Sequence, residues 1–256
     1  MRVSLRTDQT SNDTPAIETF RLSKIFPPNI LALNRLNLKI RQGVVHALVG
    51  PNGAGKTTTL RLISGLSRPN RGSIFIMGFD MLRESWKAKK HLGLLPDAPA
   101  AYEALHVDEF LQFIGSLYRV PEEDFETRRL EYVNRFDIRG YLHKHMGELS
   151  RGMLQRTLLT ALLIRNPKVM LMDEPLYGLD PEGGYVLKQV IRELAQNGST
   201  VVVSTHILSV AEEISDEFTI LSEGVKVAEG TVEELRGEIG GRTSLEEYYI
   251  KTLRGG

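Results

Sequence analysis

The 256 residues are 41% apolar and 25% charged, with 32 basic and 32 acidic side chains and zero formal net charge. A buried core is expected, and a global attraction to nucleic acid or to an anionic membrane is not, although zero net charge leaves room for a local patch. The lack of cysteine excludes disulfides, thiolate metal sites and thiol nucleophiles.

The longest apolar runs, such as Leu158 to Ile164, fall short of the roughly 20 residues of a membrane-spanning helix. Residues 1–16 read as a flexible polar tail without the apolar region of a secretory signal. From Ile17, β-like runs alternate with turns up to the apolar strand Val44 to Val49, which enters Gly50-Pro51-Asn52-Gly53-Ala54-Gly55-Lys56-Thr57. This is G-x-x-x-x-G-K-[ST], set after a predicted strand and before a predicted helix through Leu60, Leu62 and Ile63. Its glycines let backbone N–H groups close on phosphate oxygens. The helix start adds partial positive charge, Lys56 adds a full one, and the Thr57 hydroxyl suits Mg²⁺. Gly65 closes the helix, and Pro69 to Gly72 turn the chain into a strand at Ser73 to Met77.

Between about Asp97 and Leu149, Phe110, Phe113, Ile114 and Leu117 follow helical spacing, and Pro121 opens another helix through Phe125 and Leu130. An inserted helical subdomain is expected over about 97–155. Ser150 reads as the N-cap of a helix through Leu154, Leu158, Leu159 and Leu162, with Gly152 leaving the first turn open to an anion. Val169 to Met172 is an apolar strand that ends in Asp173-Glu174, so both carboxylates should reach the C-terminal edge of the sheet beside the glycine loop. There Asp173 suits Mg²⁺, and Glu174 suits orienting and deprotonating a water aimed at a γ-phosphate.

Asp180 can cap a helix from Pro181 through Val186, Val190, Ile191 and Leu194 to Asn197-Gly198. Strand Thr200 to Ser204 then carries His206 to the same edge, within reach of that phosphate, while His46, His91, His106, His143 and His145 read as surface or packing residues. Phe218 to Leu221 and Val225 to Ala228 form a hairpin around Ser222-Glu223-Gly224, and Thr231 to Glu234 has capping-box spacing. Leu245, Tyr248, Tyr249 and Leu253 give the tail at 236–256 a helix whose apolar face docks on the core, with binding of a partner as the alternative. The alternation of strand and helix argues for an α/β sheet.

The ordered set Gly50 to Thr58, Leu149-Ser150-Arg151-Gly152-Met153, Asp173-Glu174 and His206 resembles the ATP-binding cassette (ABC) ATPases over about residues 17–235. The resemblance implies an α/β P-loop NTPase fold: a RecA-like core with an antiparallel β subdomain and an inserted helical subdomain. It implies ATP and Mg²⁺ as ligands and two cassettes stacked head to tail. It puts Phe26 against adenine and Gly50, Pro51, Asn52, Gly53, Ala54, Gly55, Lys56, Thr57 and Thr58 around the phosphates. Thr57, Asp97 and Asp173 fall toward the metal, and Lys56, Glu174 and His206 fall in catalysis. Ser150, Arg151, Gly152 and Met153 would meet the γ-phosphate of the opposite subunit, and Asp180 would lie in the loop through which the two sites communicate.

The family's Leu-Ser-Gly-Gly-Gln is Leu-Ser-Arg-Gly-Met here, and Asp97 stands where the family has a lid glutamine. With Gln155-Arg156 and Ser244 to Tyr249, these departures resemble stand-alone ATPase subunits of bacterial exporters for drugs, antibiotics or polysaccharide. The resemblance then implies an ATP-hydrolysing subunit that energises a separate integral membrane permease. It would sit peripherally on the cytoplasmic face of the inner membrane, as a homodimer or with a second cassette chain, without direct nucleic-acid contact. The permease would insert a helix in the groove beside Asp97 to Leu105. Two rival readings are a cassette acting on protein or nucleic-acid assemblies and a non-hydrolysing ATP-gated module. Lys56 to Asp173 is too short for a long coiled-coil insertion, and Glu174 and His206 oppose a non-hydrolysing role.

Overall fold

The computed structural model describes residues 14–97, 102–234 and 244–254. Three strands, β3 (Val45–Val49), β7 (Val169–Asp173) and β8 (Thr200–Thr205), are buried along their whole length. Continuous apolar strands of this kind arise where both faces of a sheet are covered. With β6 (Leu92–Leu95), β9 (Glu217–Ser222) and β10 (Val225–Thr231) they form a six-stranded sheet ordered β10-β9-β3-β8-β7-β6. All neighbouring pairs are parallel except the β9–β10 hairpin. Alternate side chains divide between two cores: Met170, Met172, Val201 and Val203 enter one, Val169, Leu171 and Val202 the other. The register sets Val49 opposite Thr205 and Asp173 opposite Ser204, so the loops after β3, β7 and β8 leave from one edge.

On the Val169 face lie α1 (Lys56–Ile63) and a four-stranded antiparallel sheet of β1 (Ile17–Phe26), β2 (Ile30–Ile40), β4 (Arg71–Ile76) and β5 (Phe79–Asp80), ordered β2-β1-β4-β5. Ile17, Leu22, Leu36 and Ile40 from this sheet bury against Leu60, Leu62 and Ile63 of α1. Ala16 already donates to Ile40 O at 2.9 Å and is fully buried.

On the opposite face, α3 (Val107–Leu117), α4 (Glu122–Arg135) and α5 (Arg151–Arg165) share a core with α6 (Pro181–Gln196). The buried lines share Phe110 and Phe125 with the predicted stripes and differ from them elsewhere. In α3 they are Val107, Phe110, Leu111 and Gly115, while Phe113 and Leu117 are 39% and 56% exposed. In α4, Phe125 and Val133 turn inward and Leu130 is 57% exposed. The cause is Gly115: a Cβ there would lie 2.5 Å from the Phe125 ring, so α4 closes over this bare patch instead of over Leu117.

Two short helices, α2 (Ser85–His91) and α7 (Leu208–Ile214), complete the layers. In α8 (Leu245–Arg254), Leu245 is buried and Tyr248 meets Phe218 edge to face at 6.0 Å. This is the expected apolar docking; the side chain of Leu253 lies outside the described residues, as do residues 235–243. Thr231 and Glu234 exchange the two capping-box bonds at 2.9 and 3.0 Å. Among the described residues, no helix is long and apolar enough to cross a membrane.

Candidate functional site

The glycine loop leaves β3 and winds into α1 without a side-chain cap, since Gly55 occupies the N-cap at φ 102°. Only a residue without a Cβ fits this turn: a Cβ would meet Leu33 Cδ2 at 2.7 Å and Ala32 O at 2.8 Å. The first-turn N–H groups are thereby left free for an anion. Lys56 curls back over the loop, donating to Gly50 O at 2.7 Å and Pro51 O at 3.2 Å, and is nearly buried. Burial pushes its ammonium below the usual lysine range, and Glu174, then Asp173, pull it back.

The two carboxylates sit differently. Asp173 is buried and accepts from Ser204 Oγ across the strand pair. Glu174, the first residue past β7, takes a left-handed conformation with φ 47°. Its N–H is held by Ser204 O at 3.1 Å. Its carboxylate lies 3.9 Å from Lys56 Nζ and 2.9 Å from His206 Nδ1. The loops that the register aligned thus bring Lys56, Glu174 and His206 into one contact chain.

A cleft of about 370 Å³ opens over this chain, lined by residues 51–58, Glu174, Asp97, Phe26, Ile30, Leu31 and Ala32. Phe26, Ile30 and Leu31 are 37%, 61% and 48% exposed, an apolar shelf beside the phosphate loop, and Lys24 Nζ lies 5.0 Å from the Phe26 ring centre. A planar aromatic base would lose apolar contact with water on this shelf. Sequence reasoning found Phe26 but missed Ile30 and Leu31; two aliphatic residues that follow a turn carry no local signal.

Ser150, Arg151, Gly152 and Met153 do not line this cleft. Ser150 caps α5, accepting from Met153 N at 3.3 Å. Gly152 is packed rather than open within the chain: a Cβ would lie 2.7 Å from Gly178 O. The first turns of α5 are stitched to the loop after β7. Arg151 stacks 4.0 Å over Tyr177, Gln155 donates to Pro175 O at 3.1 Å, and Arg156 pairs with Asp180 at 2.5 Å. Asp180 also caps α6 through Gly183 N at 2.9 Å. The Gly183 N–H and the Arg156 guanidinium hold the Asp180 carboxyl below the usual carboxylate range. Arg151 also faces Asp97 at 3.5 Å, so the two departures from the family pattern meet each other.

One support was invisible in sequence. Gly224, in the β9–β10 turn, donates to Ala54 O at 3.1 Å and accepts from Asn34 N at 2.8 Å, tying the glycine loop to β2. Of the histidines set aside, His46 is buried against Thr219 Oγ1 at 3.0 Å, and His106 stacks on His145 at 4.1 Å.

A glycine-built anion cradle at the C-terminal edge of a parallel sheet, backed by one buried lysine and faced by an Asp-Glu pair, defines a nucleoside triphosphatase of the P-loop class. The ABC transporter family matches residues 33–177. A daunorubicin resistance ATP-binding protein, DrrA3 of Streptomyces coeruleorubidus, is 38% identical over 210 residues, covering 82% of this chain and 66% of that protein. The ABC transporter ATP-binding protein NatA of Bacillus subtilis is 31% identical, covering 80% and 84%. A solved ATP-binding subunit of an ABC transporter superposes with a TM-score of 0.87 at 31% identity, covering 93% of this chain and 99% of that one. A dimeric ATP-binding cassette in a post-hydrolysis state with ADP and Pi superposes with a TM-score of 0.76 at 26% identity, covering 84% and 98%. The chain belongs to the ABC transporter family, as an ATP-hydrolysing, ATP-binding subunit.

Proposed function

We propose that two cassettes, two copies of this chain or this chain and a second one, bind ATP head to tail and drive a separate membrane permease of the exporter type. The carrying observation is that one cleft gathers the glycine loop, Phe26, Asp97 and Glu174. Residues 50–58 hold the phosphates, Lys56 neutralises the β- and γ-oxygens, and Phe26 stacks on the base. Glu174 takes the proton of the attacking water, positioned by His206 through their 2.9 Å contact.

The residues present fit Mg²⁺. Thr57, Asp173 and Asp97 are hard oxygen donors, and no group of three or more His, Asp or Glu forms a cage among the described residues. One hydroxyl and two carboxylates suit an ion that takes one or two carboxylates plus substrate phosphates. When bound, Mg²⁺ would neutralise charge developing on the phosphates. The Ser204 bond fixes the Asp173 carboxylate for this role.

Ser150 to Met153 would complete the site of the opposite cassette, consistent with their place outside this chain's own cleft. For the permease, the reading rests on an apolar groove of about 440 Å³ between the sheet and the helical layer, lined by Leu66, Leu92, Pro96, Phe110, Ile114 and Tyr118 among others. Tyr102, 57% exposed, packs on Phe110 and Phe113 at 6.1 and 5.5 Å beside the groove. The relatives named for antibiotic resistance support export, and docking on a permease would set the cassette on the cytoplasmic face of the membrane. Glu174→Gln should leave Mg-ATP binding measurable by calorimetry while turnover drops by ~10²–10⁴ fold; unchanged turnover would remove Glu174 from the reaction. Tyr102→Ala should uncouple transport in reconstituted vesicles with ATP binding intact.

A further inference from the structure

Helix α2 shows an outer face that no other part of the described chain covers. Its inner side buries Ala88, and Met81 is buried just ahead of it. Trp86, Lys89 and Lys90 follow one another along its outer side at steps of three and four residues, and Leu82 and Arg83 lie in the turn that leads into the helix. All five are exposed: Leu82 by 51%, Trp86 by 62%, and the Arg83 side chain by 88%.

Trp86 is the only tryptophan of the chain, and so large an apolar surface is ordinarily kept from water. Lys90 and Lys87 place their ammonium groups 4.7 and 5.7 Å from its ring centre. The acids nearby are engaged elsewhere. Glu84 binds Lys87 at 2.8 Å, and Asp80 accepts the N–H groups of Leu82 and Arg83 at 2.7 and 3.1 Å, leaving Arg83 3.9 Å from its other oxygen. Among the described residues, neither Lys89 nor Lys90 has a carboxylate partner within ion-pair distance. In a chain with no net charge, the excess of cations here is local. The same face runs through Lys89 into the apolar groove, where Leu66 is 69% exposed.

We propose that this face rests on an anionic phospholipid surface, with Trp86 and Leu82 among the headgroups and Arg83, Lys89 and Lys90 against the phosphodiesters. An exposed indole with two lysine ammonium groups at its ring suits the headgroup layer, where the ring meets the apolar boundary and the cations meet phosphate and water. The exposed cations Arg83, Lys89 and Lys90, spread along this face, match dispersed phosphates better than one complementary pocket. Each cation near an anionic leaflet is worth about fivefold in partition. The contact extends the membrane-side placement proposed above but needs no permease.

The sole tryptophan makes the test site-specific. Emission of the whole protein is followed while adding vesicles of phosphatidylcholine containing about one third phosphatidylglycerol. The expected result is a blue shift, with quenching by brominated acyl chains, that pure phosphatidylcholine does not produce. The R83Q/K89Q/K90Q variant should partition about a hundredfold less while binding Mg-ATP as the parent does, which shows that it is folded. Co-sedimentation of Trp86→Phe checks the indole separately and should be weaker than that of the parent. The proposal is overturned if emission ignores the anionic vesicles, if neutral vesicles act equally, or if the triple variant partitions like the parent. A shift that appears only when a permease is present in the vesicle assigns the face to protein and overturns it too. Loss of Mg-ATP binding by the parent protein would strike the proposed ATP cycle and leave this test intact.

Discussion

Lys56 is a cation held where water scarcely reaches, against two carbonyls and near two carboxylates. Burial lowers its proton affinity in the free protein, whereas a triphosphate adjacent to the ammonium raises it. Binding at a pH near the lowered free value must therefore take up a proton. The Lys56 contribution to ATP affinity should be constant below that value and should be lost as pH rises through it, at a pH below the usual lysine range. Calorimetry in buffers of different ionisation heat should report uptake that climbs toward about one proton and vanishes in Lys56→Arg, whose guanidinium stays charged. Uptake unaltered in that variant would place the titrating group elsewhere. Beside Lys56, Glu174 is fixed through its backbone to Ser204 and through its carboxylate to His206. For the proposed role as base, a carboxylate anchored at both ends starts near its working geometry.

At the scale of elements, the glycine loop depends on a hairpin more than 160 residues downstream. Gly224 has φ 77°, and a Cβ there would meet Ala32 O at 2.7 Å. Gly224→Ala should cost about 1–3 kcal/mol of stability, read from denaturant unfolding. It should also weaken nucleotide binding, because Gly224 N–H is a brace on Ala54 O; an equally stable variant with full affinity would show the brace to be idle. Such a support has no short-range signature, and the sequence marked this turn only as the end of a hairpin. The loop itself was legible because its chemistry is contiguous: spacing, flanking strand and flanking helix agree. Asp173, Glu174 and His206 were legible because a fully apolar strand predicts where its last residue emerges. In α3 and α4, Phe110, Ile114 and Phe125 turn to the core as the spacing predicts, but Phe113, Leu117 and Leu130 do not. The reason is that periodicity ranks side chains by polarity and gives no weight to a bare Gly115 that invites Phe125. Likewise, Asp97 and Arg151 read separately as departures, and their contact at 3.5 Å depends on the fold bringing two distant loops together.

For the whole molecule, the proposed site is divided: one chain carries two halves that its own fold keeps apart. The phosphate loop and Glu174 line the cleft, whereas the capped start of α5 lies outside it and is packed against the chain's own Tyr177 and Gly178. In the proposed head-to-tail pairing the missing half comes in trans, and complementation tests it. Ser150→Asp keeps a competent N-cap but brings a carboxylate toward a phosphate, so its homodimer should bind ATP and hardly turn over. Lys56→Ala keeps a sound α5 start and loses the phosphate grip. Neither variant should hydrolyse ATP alone. Mixed in equal amounts and allowed to exchange, half of the dimers are hybrids, each with one intact site built from the Ser150→Asp loop and the Lys56→Ala helix start. The mixture should recover about a quarter of the parental rate if the two sites fire independently. Strict coupling between the sites would lower the recovered fraction without abolishing the dependence on mixing. A site made within one chain predicts no recovery at any ratio, because no chain in the mixture carries both halves intact.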